Sequence, residues 1–152
     1  MTNQNDNADC SHLEALWHRD FPIAGAMQVQ VAAFRQHTLT TRAPLSPNTN
    51  IHGTAFAGSL YALEALTAWG LIYLECRALG LDASIIHANG TINFASTIEE
   101  DIVARCHESN MPDYLSTLQT AGKVRFDLTT QVHTGGHLAS EFTGNYAVRL
   151  NR

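Results

Sequence analysis

From Ser84 to Phe94 apolar and polar positions alternate without a break. Ile86, Ala88, Gly90, Ile92 and Phe94 fall on one side and His87, Asn89, Thr91 and Asn93 on the other, the period-two pattern of a strand with one buried face. Asp101 to Cys106 repeats it briefly. Lys123 to His133 sets Val124, Phe126, Leu128 and Val132 against Lys123, Arg125, Asp127 and Gln131; after a tight turn at Gly135-Gly136, Leu138 to Leu150 returns with Phe142, Tyr146, Val148 and Leu150 in phase. Between these strands Pro112 to Thr120 predicts a short helical turn broken by Gly122. Earlier in the chain, Met27 to Phe34 reads as a strand, and His37 to Leu45 as a second alternating stretch closed by Pro44 and Pro47. Ahead of them Ser11 to Pro22 predicts a short amphipathic helix, with Ser11 as N-cap, Glu14 at the capping-box position and Pro22 as its end.

One segment breaks the alternation. Ser59 to Leu79, with Gly80 placed as C-cap, carries Leu60, Leu63, Leu66, Trp69, Leu71, Ile72 and Leu74 in no single stripe, and a helix apolar on nearly every side must be enclosed. Glu64, Glu75 and Arg77 exclude a membrane span, which needs about 20 nearly uninterrupted apolar residues. A curved antiparallel sheet wrapped around this helix satisfies every segment at once. The expected fold is therefore α+β, the hotdog arrangement, with residues 1–10 a disordered polar lead-in and residues 11–152 one domain.

Composition narrows the partners. Apolar residues make up 45% of the 152 and charged residues 15%, a thin surface charge that points to burial of some surface against another subunit. The net charge of −5, with nine Lys and Arg spread along the chain, lacks the basic patch that nucleic acid or an anionic membrane requires. MTNQNDNADC has no charged-then-apolar leader pattern, and Cys10, Cys76 and Cys106 form no CxxC pair, which fits a reducing compartment. A cytoplasmic location is expected.

The run NTNIHGTAFAGSLYALEALTAWG (Asn48 to Gly70), with INF (Ile92 to Phe94) and FTGNYAV (Phe142 to Val148), resembles the thioesterase-like domain at the carboxy end of YiiD-type proteins. The likeness covers roughly Leu13 to Leu150, and GTxFAGSLYAL is its specific part. In YiiD-type chains an acetyltransferase domain usually comes first; this sequence shows no Gly-rich pyrophosphate loop of the kind such a domain needs. The resemblance implies a hotdog fold, a dimer or tetramer with sheets joined edge to edge, and activity on an acyl thioester of coenzyme A or acyl carrier protein. Related hotdog thioesterases carry an HGG loop and an acidic residue further along the central helix. Here Gly58-Ser59 matches the paired glycines best, which leaves Ala65 at the usual acidic position and Glu64 one residue early. That offset rotates a helical side chain by about 100°, so the direction of Glu64 becomes the deciding observation.

Thioester hydrolysis needs a polarised carbonyl oxygen and a delivered water. Free N–H groups near Gly58, Ser59 and Leu60 suit the first, with Gly53 and Gly58 admitting the substrate to the backbone; Thr54 lies between them. Ser59 has a plainer reading as a helix cap, and AGSLY lacks the second glycine of a GxSxG elbow. Glu64, the acidic residue in the buried part of the helix, is the candidate general base, and an ion pair across a subunit interface is its alternative. Asn50 and His52 would orient water or the carbonyl, the role of His52 being implied by the resemblance; a solvated loop histidine is the alternative. Lys123 and Arg125 could meet coenzyme A phosphates or could be solvated surface. His133 and His137 flank the Gly-Gly turn without a third ligand, and no metal or cofactor is expected. The alternatives to hydrolysis are a hotdog dehydratase or hydratase pairing His52 with Glu64, and a non-catalytic acyl-binding module. Whichever holds, a dimer at least is expected, pairing the strand near Ile85 to Phe94 with its twofold mate and bringing the His52 loop of one subunit to the Glu64 helix of the other.

Overall fold

The computed structural model describes residues 2–152, with side chains described from residue 6 onward. In chain order the elements are α1 (Thr2–Asp20), α2 (Pro22–Met27), β1 (Gln30–Arg35), β2 (Thr38–Ala43), a 3₁₀ turn (Ser46–Asn48), α3 (Ala57–Ala78), β3 (Ala83–Phe94), β4 (Ile102–His107), α4 (Met111–Ala121), β5 (Lys123–Thr134) and β6 (His137–Leu150). The strands form one antiparallel sheet in the order β1-β2-β4-β5-β6-β3. α3 lies in its concave face, and no residue from Ser59 to Cys76 is exposed, as the all-round apolar pattern requires. This is the hotdog fold, in agreement with the sequence.

The end of α3 is set by local chemistry. Gly80 at φ +67 turns the chain, with Gly80 N–H bonded to Arg77 O at 3.0 Å and Leu81 N–H to Cys76 O at 2.9 Å, the two bonds of a Schellman motif. The β5–β6 hairpin closes through Gly135 and Gly136, both at positive φ, a two-residue turn whose twist matches the strands. α1 crosses the other side of α3. Leu13 and Trp17 are fully buried and, with Leu39, meet Gly70, where a Cβ would fall 2.6–2.9 Å from their side-chain atoms. Only glycine permits that approach.

Several local expectations are corrected. The first helix begins at Thr2. Of the expected lead-in, residue 1 lies outside the described residues, and the stretch leading to Ser11 is helical, with Cys10 buried. Ser11 is therefore inside the helix and caps nothing. Glu14 Oε1 instead accepts the Val31 N–H at 2.9 Å, and His18 Nε2 bonds Val29 O at 2.7 Å, so α1 covers the β1 edge, a common protection for a free strand. The first helix stops at Asp20, just before Pro22 as expected, and Pro22 also opens a second helix at its first position; Met27 belongs to that helix instead of a strand. His37 sits in the β1–β2 turn at φ 58, its Nδ1 held 2.7 Å from Glu75 Oε1.

The largest correction falls on β3. Its register against β6 shifts between His87 and Asn89, so Ala88 is the extra residue of a β-bulge. Ala83, Ile85 and His87 face inward before it, and Gly90 and Ile92 after it. Ile86, expected on the buried side, is 61% exposed.

Candidate functional site

Asn48 anchors the segment leading into α3. Its side chain is 1% exposed, and Nδ2 donates to Met27 O at 2.9 Å and Pro44 O at 2.8 Å, while the main-chain carbonyl of Asn48 accepts the Phe56 N–H at 2.8 Å. Asn50 then folds the tip. Its Oδ1 accepts the N–H groups of His52 at 2.8 Å and Thr54 at 3.2 Å, and Nδ2 donates to Thr54 Oγ1 at 2.8 Å, the self-closing habit of Asn in turns. Gly53 supplies the φ of +76 that this turn needs. Asn50, Gly53 and Thr54 thus build the loop, and what the loop presents outward is His52, exposed, and Ile51, 95% exposed.

Phe56 is the N-cap of α3 and no side chain caps it. Ser59 is the third helical residue, so the reading of Ser59 as a cap is replaced. Leu60 N–H is already bonded to Phe56 O at 3.0 Å; the free donors of the first turn are those of Ala57, Gly58 and Ser59. The Phe56 ring lies over Gly58, where a Cβ would collide with it. The absence of a side chain there makes room for that ring.

Glu64 lies five residues beyond Ser59, about 7.5 Å along the axis, and helical side chains lean back toward the N-terminus. It is fully buried. Ser140 Oγ on β6 donates to its Oε2 at 2.9 Å, and Thr130 Oγ1 on β5 donates to its main-chain carbonyl at 3.0 Å. Oε1 has no partner among the described residues. Burial pushes the carboxyl from 4.5 up to about 8; the Ser140 hydrogen bond opposes this and the charge of Glu141 adds to it. A carboxyl with one oxygen fixed, the other free and an elevated pKa is poised for proton transfer near neutral pH. Cysteine chemistry is disfavoured by the same physics, since burial holds the thiols of Cys76 and Cys106 up at about 11 and about 12.

Ser140 and Thr130 escaped the sequence reading although both left a signal: each is a hydroxyl on the otherwise apolar face of its strand. Within one chain the structure does not join the pair expected to act together. Among the described residues no hydrogen bond links the exposed His52 to the buried Glu64. His133 and His137 diverge, His133 lining an outer-face groove with Arg105 and His107 and His137 Nε2 reaching Ser96 Oγ at 3.2 Å. No cluster of three or more His, Cys, Asp or Glu suited to a metal is found among the described residues. Lys123 and Arg125 are exposed on β5, away from Glu64 on the opposite face of the strand. No described helix is long and apolar enough to cross a membrane.

The family described as "Putative thioesterase (yiiD_Cterm)" matches residues 10–150. Among solved structures, a putative thioesterase from Shewanella oneidensis is 32% identical, with a TM-score of 0.86 over 93% of this chain and 97% of that one. A protein of unknown function from Chlorobaculum tepidum is 25% identical, with a TM-score of 0.85 over 93% and 94% of the two chains. A Pseudomonas aeruginosa protein described as a probable thioesterase shares the fold at 17% identity, with a TM-score of 0.79 over 93% and 95%.

Proposed function

The chain belongs to the putative thioesterase (yiiD_Cterm) family, and we propose that it hydrolyses an acyl thioester of coenzyme A or acyl carrier protein, with Glu64 as general base. The observation that carries this reading is the Glu64 carboxyl, buried, fixed through Oε2 by Ser140 and unpartnered at Oε1. A water bonded to Oε1 gives its proton to Glu64 as its oxygen attacks the thioester carbon. The developing oxyanion is held by the free N–H groups of Ala57, Gly58 and Ser59 at the positive end of α3. The C–S bond then breaks and the thiolate takes up the proton.

In this reading the site is completed by a second copy. β3 is a sheet edge that, unlike β1, no helix covers among the described residues, and it carries exposed Ile86 and Phe94. Along α3, Tyr61, Ala65, Trp69 and Tyr73 form a half-buried stripe at four-residue spacing, and the Trp69 indole N–H reaches Ile85 O on β3 at 3.2 Å. Pairing β3 with its twofold mate covers both features and carries the His52 loop with its exposed Ile51 toward the partner's α3. Three free, buried cysteines support a reducing, cytoplasmic setting.

The test is thiol release by purified protein from acyl-coenzyme A and acyl-carrier-protein substrates of several chain lengths, run beside hydration of enoyl thioesters. Release of thiol with no hydration is the expected result. Hydration alone transfers the site to hydratase chemistry, and binding without turnover to an acyl carrier; either overturns the proposal.

A further inference from the structure

The bulge at Ala88 places one polar side chain where the sequence pattern would not. His87 turns inward from β3 onto an aromatic wall: its ring stacks on Tyr146 of β6 with centroids 4.9 Å apart, meets Phe142 edge-on at 5.4 Å and lies parallel to Tyr61 of α3 at 6.2 Å. Its Nε2 is buried without a partner among the described residues. The Tyr61 hydroxyl makes no hydrogen bond among the described residues either. Both atoms converge on Gly90, where a Cβ would lie 2.8 Å from His87 Nε2, 2.8 Å from Tyr61 Oη and 2.7 Å from Phe142 Cε2. A buried imidazole nitrogen without a partner is costly unless something bonds to it, and the phenol beside it offers a second polar contact.

This pair adjoins the proposed base along two elements. Tyr61 and Glu64 are three apart on α3 and therefore neighbours on its surface. Ser140, which holds Glu64, and Phe142, which touches both Tyr61 and His87, are two apart on the same face of β6, about 7 Å. The polar pair thus stands a few bonds from where the thioester carbon would sit against Glu64.

Resting on the hydrolase reading above, we propose that His87 Nε2 and the Tyr61 hydroxyl recognise an oxygen on the acyl chain near the thioester, so that the preferred substrates are 3-hydroxyacyl or 3-oxoacyl thioesters rather than saturated ones. Either ring nitrogen tautomer finds a match: a hydroxyl offers donor and acceptor, and a carbonyl accepts from the imidazole N–H or the phenol. A saturated chain would leave both protein groups desolvated and unpaired, the situation in which binding sites discriminate most strongly.

The test compares kcat/KM of the intact protein for saturated, 3-hydroxyacyl and 3-oxoacyl-coenzyme A of equal chain length, in the native chain, His87→Phe and Tyr61→Phe. Calorimetric binding of the matching non-hydrolysable thioethers runs alongside. A preference for the oxygenated chains of about tenfold or more is expected. His87→Phe keeps the aromatic wall, removes the nitrogen and should erase that preference through loss on the oxygenated chains; Tyr61→Phe should weaken it. Equal handling of all three chains by the native protein overturns the proposal, as does a uniform loss in both variants. Failure to hydrolyse any thioester would overturn the hydrolase reading alone, because thioether affinities still decide whether the oxygen is recognised.

Discussion

Glu64→Gln tests the site and the electrostatics of its burial together. The amide keeps the size of the carboxyl and an oxygen for the Ser140 hydroxyl, and loses the ability to take a proton. A general base contributes roughly 10²- to 10⁴-fold, so kcat should fall by about that factor while acyl binding stays nearly intact. In the native chain kcat/KM should rise with pH and level off above about 8, where the carboxyl is ionised. The same shift has a stability consequence of fixed sign. Folding raises the pKa from 4.5 to about 8, so across that window the folded state holds a proton that the unfolded state has released, and stability falls as pH rises. The contribution is whole below 4.5 and gone above about 8, and a shift of this size corresponds to at most about 5 kcal/mol. Glu64→Gln has no such loss. Urea unfolding at pH 5 and pH 9, beside thiol release, should find the variant within about 1 kcal/mol of the native protein at the lower pH and more stable by up to about 5 kcal/mol at the higher. Unchanged turnover removes Glu64 from the mechanism, and parallel stability curves refute the raised carboxyl.

Gly70→Ala forces a methyl against Trp17, Leu13 and Leu39 and should cost about 1–3 kcal/mol by overpacking, read as a lowered urea midpoint with an unchanged slope; no change would mean that α1 packs loosely. Asn50→Ala removes three hydrogen bonds of the loop and should lower kcat/KM about tenfold or more for a destabilisation of only about 1–2 kcal/mol, and loss of stability without loss of activity would confine Asn50 to folding. Ile86→Asp places a charge on the exposed side of the β3 edge and should shift the protein toward monomer in light scattering and lower turnover in parallel. A fully active native monomer at micromolar concentration would sink both the interface and the shared site.

What the chain determined alone was whatever rests on near neighbours. α3 could be recognised because apolar residues surround it, and its end at Gly80 because only a left-handed residue closes a Schellman turn there. β5 and β6 followed from period two on either side of Gly135-Gly136, and the wrapped sheet from the need to enclose α3. Glu64 stood out as a carboxyl in a segment with no solvent face. The tertiary structure decided what depends on distant partners. The β1–β2 turn puts Gln36 and His37 at positive φ without a glycine, a conformation held where the chain brings Glu75 to His37. Glu14 serves a strand edge instead of a helix start because α1 is long enough to lie along β1. Ser140 became the partner of Glu64 across 76 positions of sequence. The bulge at Ala88 reversed one half of a strand that local alternation placed on a single side, since the register against β6 outweighs the preference of Ile86 for burial. A helix or a turn is a balance struck within a few residues, whereas the face a strand presents and the partner a buried carboxyl finds are set by which remote segment packs against them.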